Sequence, residues 1–229
     1  MDTPDSKAPL ERITMKSILG ILLEQFHLER GIGYTVKQFI LAPRAAIEEY
    51  LYRDRSRMIK PFRFALLMAA IATFLSFQFL PISDEMTEEF RNSDGYAQLP
   101  AYIQSFAIGL IVAFNKYFNL FFLSAIPLLT IGTYWVFRQF NFAEHLVINS
   151  YIFSIKTIVY CLLIPFIVKF PIASVIQSAL YLGYNLYAFL SIFKLPLGKG
   201  ILKSLLVWGI YQVATAIVIL IALLFSLLF

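Results

Sequence analysis

The stretch FNFAEHLVINSYIFSIKTIVYCLL, residues 140–163, decides the fold class. A helix needs about 20 mostly apolar residues to cross a bilayer, and this stretch supplies them. It nevertheless begins with Glu144 and His145 and holds Lys156 well inside, where a charge is costly. We therefore predict a membrane-spanning helix with one polar side.

The composition of the whole chain agrees with that prediction. The 229 residues are 59% hydrophobic and only 14% charged, whereas soluble domains are about 45–50% apolar and about 25% charged. A soluble fold of this size could not bury so much apolar surface. The chain is therefore predicted to be an all-α, polytopic integral membrane helix bundle.

Five segments have the length and composition of spanning helices. They cover residues 62–82, 118–137, 146–168, 172–193 and 205–229. Residues 83–117 are predicted to form a loop and a helix on the outer face. Residues 101–118 are apolar enough for a sixth span, but Asn115 and Lys116 leave little room for a turn before the next crossing.

The distribution of Lys and Arg predicts the orientation, because cytoplasmic flanks carry an excess of both. With the N-terminus in the cytoplasm, 15 of the 19 basic residues lie inside, three lie outside and Lys156 lies within a span. We therefore predict a multi-pass protein of the inner (plasma) membrane with a cytoplasmic N-terminus and the C-terminus on the outer side.

Residues 1–60 are predicted to be a cytoplasmic region of amphipathic helices. A first helix, TMKSILGILLEQFHLERG, would stop at Gly31, Thr35 could cap a second, and Pro43 would open a third. A basic cluster follows, formed by Arg53, Arg55, Arg57, Lys60 and Arg63. These groups could rest on anionic headgroups, at about 1 kcal/mol each, or could only set the topology.

The same region carries a recurring pattern of residues. Its members are Phe26, Leu28, Arg30, Gly31, Thr35, Pro43, Tyr50, Arg55, Arg57 and Pro61, with NFAEH at 141–145 as a second block. This pattern resembles an uncharacterised family of small bacterial membrane proteins, known only as a domain of unknown function. Many members carry a zinc ribbon of paired cysteines, whereas this chain has a single cysteine, Cys161. The five-span arrangement is also similar to that of Yip1-type trafficking proteins. The resemblance implies a class of protein and leaves the activity open.

At 100° per residue, His145, Asn149 and Lys156 fall on one side of the third span. The candidates for a polar cavity are Glu144, His145, Asn149, Lys156, Asn185 and Gln212. Such a cavity could hold a lipid headgroup or an ion. The alternative is structural: Glu144 and His145 would cap the helix, and the amides would bond between helices at about 0.6 kcal/mol each.

The chain has no HExxH, GxSxG, Walker or glycine-rich dinucleotide motif. We therefore predict no catalytic residue, no metal site and no cofactor.

The first hypothesis for the function is a non-enzymatic module that organises the membrane or binds lipids or partners. The second is a channel, transporter or lipid-handling protein that uses the polar cavity, and an intramembrane enzyme is a third. The expected partners are membrane lipids, including anionic ones, and a second copy or another membrane protein. Nucleic acid is not expected, because the net charge of +5 arises beside membrane segments.

Overall fold

The computed structural model describes residues 28–79, 88, 90–116, 118–167 and 169–228, with side chains for 31–79, 88, 90–111, 122–167, 169–221 and 224. Within these ranges the regular structure is helical. The helices are α1 (Leu28–Leu41), α2 (Pro43–Tyr52), α3 (Pro61–Phe79), α4 (Asp94–Ala97), α5 (Ala101–Lys116), α6 (Phe118–Phe137), α7 (Phe142–Ile167), α8 (Pro171–Phe193) and α9 (Leu197–Leu228).

Four helices in the described part are long and apolar enough to cross a membrane. They are α3, α7, α8 and the segment Leu197–Ile221 of α9. Helix α6 has 20 residues and the predicted bounds, but the apolar part with described side chains, Phe122–Phe137, is shorter than a full crossing. These helices support a multi-pass membrane protein, and the fifth crossing stays a prediction.

Helix α7 lies at the centre of the bundle and packs against α3, α6 and α8. Its residues from Ile148 to Ile155 are all buried, which explains why this segment tolerates Asn149, Ser150 and Ser154 among its apolar side chains. The hydroxyls of Ser150, Ser154 and Thr157 donate to the backbone carbonyls four residues earlier in the helix. Their polar groups are therefore satisfied within the helix itself.

Helices α1 and α2 dock on one end of this bundle. The Tyr187 hydroxyl donates to the carbonyls of Ile40 and Leu41 at 3.1 and 3.0 Å, at the C-terminus of α1. Arg44 Nη1 donates to the carbonyl of Ile192 at 2.7 Å. One side of the N-terminal region thus packs on protein. Contact between lipid and the other side of the N-terminal region stays a prediction.

The predicted helix boundaries at Gly31 and Thr35 are wrong. Gly31 does not end a helix and Thr35 does not cap a second one, because α1 continues through both residues to Leu41. A Cβ atom at Gly31 would lie 3.0 Å from the backbone nitrogen of Ile59, so the glycine provides close packing. Helix α9 begins at Leu197, before residue 205, where the fifth span is predicted to start. Gly200 also lies inside a helix, and a Cβ there would force the side chain of Leu190 on α8 to shift.

Some predictions fall on other parts of the chain. Most of the predicted first helix lies within residues 1–27, outside the described residues. The same holds for residues 80–87 and 89 of the predicted outer-face loop. Residues 101–116 form α5, and its position relative to a membrane stays a prediction.

Candidate functional site

A cavity of about 390 Å³ lies between α6, α7, α8 and α9. We call it the Lys156 cavity. It is lined by Phe122, Ala125, Ile126, Leu129, Asn149, Phe153, Lys156, Thr157, Tyr181, Leu182, Asn185, Trp208 and Tyr211. Three residues of the predicted polar set, Asn149, Lys156 and Asn185, therefore come together in one cavity.

Lys156 contributes the cationic group of this cavity. Its Nζ lies 5.1 Å from the ring centroid of Tyr181 and 3.5 Å from Asn185 Oδ1. The first distance is typical of a cation–π contact, and the second is long for a hydrogen bond. No carboxylate in the described part of the chain forms an ion pair with this lysine. The ammonium thus faces only neutral groups among the described residues.

Asn149 lies seven residues before Lys156 on the same helix and is fully buried. Its Nδ2 donates to the hydroxyls of Thr130 and Thr133 on α6, at 3.1 and 2.8 Å. Those hydroxyls donate in turn to the carbonyls of Ile126 and Thr130, so they can only accept from Asn149. This arrangement determines the orientation of the amide. Asn149 Oδ1 is consequently left without a hydrogen-bond partner among the described residues.

The cavity opens to the outside of the bundle. Leu182 of α8 and Trp208 of α9 line it, yet 64% and 56% of their surfaces are exposed. These two lining residues therefore lie at the surface of the bundle, which faces hydrocarbon if α8 and α9 span a membrane.

Glu144 and Gln212 are not among the residues that line the cavity. Glu144 caps α7: its Oε2 accepts from the Asn141 backbone at 2.8 Å, and its own N–H donates to Asn141 Oδ1 at 2.9 Å. This reciprocal pair is a capping box. Tyr52 adds a hydrogen bond to Glu144 Oε1 at 3.1 Å. Gln212 is exposed on α9.

His145 is buried in a group of aromatic rings outside the cavity. It stacks on Phe193 at 5.6 Å between ring centroids, and Tyr134 and Phe140 meet it edge-on. Neither ring nitrogen has a hydrogen-bond partner among the described residues. The structure thus separates His145 from Asn149 and Lys156, although the three share one side of the helix.

Two members of the basic cluster make specific contacts with the N-terminal helices. Arg55 donates to the carbonyls of Tyr50 and Leu51 at 3.0 and 3.2 Å, at the end of α2. Arg57 lies 4.7 Å above the ring of Tyr34 and 3.6 Å from Glu49. These two arginines therefore have a structural role, and their contact with headgroups stays a prediction.

The other three members of the basic cluster differ in their exposure to solvent. Arg53 and Lys60 are exposed, and Arg63 is half-buried.

The Tyr34 hydroxyl donates to Glu49, and this hydrogen bond raises the pKa of Tyr34. The N–H and hydroxyl of Ser56 donate to Asp54, which lowers the pKa of that carboxyl group. The turn between α2 and α3 is thus held by charged hydrogen bonds.

Thr130 and Thr133, which hold Asn149 in place, were not among the predicted site residues. The two lie three residues apart in a mostly apolar helix, so they share a face, and that spacing was a usable signal. Trp208 and Tyr211 were not predicted as lining residues either. Aromatic residues are too common in this chain, at 17%, to single out two of them.

Residues 29–73 match a family described as "Protein of unknown function (DUF3667)". The match covers α1, α2 and much of α3, and this segment contains Gly31, Thr35 and Tyr50. It supports the resemblance to an uncharacterised domain-of-unknown-function family. No curated protein and no solved structure matches the chain. The bacterial origin and the similarity to Yip1-type proteins stay predictions.

Proposed function

We propose that this chain is a non-enzymatic protein of a bacterial inner membrane that binds an anionic amphiphile in the Lys156 cavity. In this proposal the chain crosses the membrane five times, with α6 as the second crossing and the N-terminus in the cytoplasm. The distribution of basic residues and the 20-residue length of α6 support that threading. The cavity supports the choice of the lipid-handling hypothesis over a scaffold.

The observation that carries the proposal is a cation in a cavity without an ion pair among the described residues. A lysine near the centre of a span costs about 2.5–3.5 kcal/mol on insertion scales. Asn185 and Tyr181 offset only part of that cost, because both are neutral. An anionic group bound beside Lys156 Nζ would compensate the charge.

Asn149 narrows the class of ligand. Its Oδ1 lies on the same side of α7 as Lys156, roughly 10 Å away along the helix axis at 1.5 Å per residue. A buried acceptor without a partner is costly, so the ligand or a water that enters with it would donate there. The other lining groups are mostly aliphatic or aromatic. This combination fits a molecule with one anionic end and an apolar body.

The test uses Trp208, which lines the cavity, as a fluorescent reporter. The chain has two tryptophans, so Trp135→Phe leaves Trp208 alone. The protein is placed in liposomes, and Trp208 is quenched with dibrominated stearic acid or with its methyl ester. We expect the acid to quench more strongly than the ester, because only the acid carries the charge that Lys156 binds.

Lys156→Met should remove the advantage of the acid over the ester. The loss should be about tenfold or more in apparent affinity, since a hydrogen bond to a charged group is worth about 1.5–3 kcal/mol. Lys199→Met is the matched control, because Lys199 is an exposed lysine outside the cavity. Equal quenching by acid and ester, or an advantage that survives Lys156→Met, would contradict the proposal and favour the scaffold hypothesis.

A further inference from the structure

We propose that the outer surface of α6 and α9 holds a binding site for one anionic phospholipid, with the phosphate at Arg138 and an acyl chain in an adjoining apolar groove. This site is separate from the Lys156 cavity, and the proposal does not depend on that cavity. It rests on two neighbouring concavities of different polarity that share one residue.

The apolar groove has a volume of about 570 Å³. Two glycines shape it. Gly132 brings the helices together, because a Cβ there would lie 3.0 Å from the carbonyl oxygen of Val207. Gly209 lines the groove and has no atom within 4 Å of its Cβ position. The groove is therefore open where a side chain on Gly209 would fill it.

The groove has the dimensions of a lipid chain. Its lining on α9 extends from Leu202 to Ile217, which is about 22 Å at 1.5 Å per residue. One leaflet of the hydrocarbon core is about 15 Å deep, half of the roughly 30 Å total. An acyl chain that starts at the end of α6 would thus stay beside the groove through its whole leaflet.

A polar pocket of about 420 Å³ lies at the end of α6. It is lined by Tyr134, Trp135, Arg138, Phe140 and Asn141. Trp135 lines both this pocket and the groove, so the two form one continuous surface. Tryptophan and tyrosine are typical of the membrane–water interface, which is the level of a phospholipid headgroup.

Arg138 has an unusual backbone for its residue type. Its φ angle is 40°, in the left-handed region that glycine or asparagine adopts more easily. The backbone conformation therefore does not favour an arginine at this position. We attribute the arginine to the chemistry of its side chain. A guanidinium binds phosphate oxygens in a two-pronged geometry. Asn141 adds an amide NH2 group that can donate beside it, since its Oδ1 already accepts from the N–H of Glu144.

The occupant is a phospholipid because the site combines a phosphate-binding group with a chain-length groove. A helix of a second copy could fill the groove as well, but it would leave Arg138 without an anion. The two occupants differ in one measurable property, since only the phospholipid makes binding depend on headgroup charge.

The test uses Trp135 as the reporter, after Trp208→Phe. Vesicles of phosphatidylcholine receive a small fraction of brominated phosphatidylglycerol or the same fraction of brominated phosphatidylcholine. We expect the anionic lipid to occupy the site about fivefold more than the zwitterionic lipid, which is the ratio that one basic group at a membrane surface provides.

Arg138→Asn should remove this preference without loss of folding, because asparagine tolerates the left-handed backbone. Lys194→Asn is the matched control: Lys194 is also basic, ends a helix and has φ 50°, but it does not line the site. It should keep the preference. An equal loss in both variants would show a general surface attraction and overturn the proposal.

The groove itself is tested by Gly209→Leu. This variant should lower quenching of Trp135 by both brominated lipids, whereas Gly183→Leu, at another open glycine on α8, should not. Equal quenching by the two lipids in the reporter protein would overturn the proposal. So would quenching that rises as the protein is diluted into more vesicles, because that would show a second copy in the groove.

Discussion

At the scale of single residues, Tyr151 and Thr35 join the N-terminal helices to the bundle. The Tyr151 hydroxyl donates to the carbonyl of Ile59 at 2.7 Å, and Thr35 Oγ1 accepts from the N–H of the same residue at 3.1 Å. Both polar groups of one buried backbone position are thus satisfied by side chains from two helices, as burial requires. The ring of Tyr151 also stacks on Phe39, with the centroids 4.4 Å apart.

Tyr151→Phe should lower the free energy of unfolding by about 1–3 kcal/mol, because it leaves the carbonyl of Ile59 buried without this donor. Unfolding in mixed detergent micelles, followed by circular dichroism, measures the change. Tyr187→Phe is the control, since its hydroxyl bonds to exposed carbonyls at the end of α1. We expect a smaller loss there, and equal losses would contradict the role assigned to Tyr151.

At the scale of one element, α1 shows how two glycines in the same helix differ. The backbone of Ile59 lies against Gly31 and is held by Thr35 and Tyr151, so it cannot move away from an added methyl group. Gly33, two residues later, has nothing within 4 Å of its Cβ position. The first glycine provides contact between elements, and the second has no such constraint.

Gly31→Ala should destabilise the protein by about 1–3 kcal/mol, as overpacking does. Gly33→Ala should instead stabilise it by about 0.5–1 kcal/mol, because alanine favours a helix over glycine. The same unfolding measurement gives both values. Opposite signs at two positions of one helix are the expected result. A stabilising Gly31→Ala would show that the contact with Ile59 can relax.

At the scale of the whole molecule, the number of crossings decides which compartment each loop faces. Five crossings place Ser93, between α3 and α5, on the opposite side of the membrane from Lys199. Four or six crossings place the two residues on the same side. One labelling experiment therefore distinguishes an odd from an even number of spans.

In a Cys161→Ala background, Ser56→Cys, Ser93→Cys and Lys199→Cys are labelled one at a time with a membrane-impermeant maleimide. We expect Ser93→Cys to react in intact cells, and the other two to react only after permeabilisation. This pattern follows from the basic inner flanks. Labelling of both Ser93→Cys and Lys199→Cys in intact cells would contradict five crossings with a cytoplasmic N-terminus.

The sequence by itself determined the properties that depend on neighbours along the chain. The apolar runs predicted the bounds of α3, α7 and α8 within a few residues, because the length of an apolar segment decides whether it can cross the hydrocarbon core as a helix. Helical periodicity also placed Asn149 and Lys156 on one side of α7, since both lie on the same rigid element.

Only the tertiary structure decided which groups meet across helices. Thr130 and Thr133 orient Asn149 from another helix, and His145 is separated from the cavity by the rings around it. Arg57 pairs with Tyr34 and Glu49, and Trp135 joins a groove to a polar pocket. Gly31 was predicted to end a helix, but it provides close packing against the backbone of Ile59. These contacts depend on how helices cross and pack, and periodicity within a single helix contains no information about that.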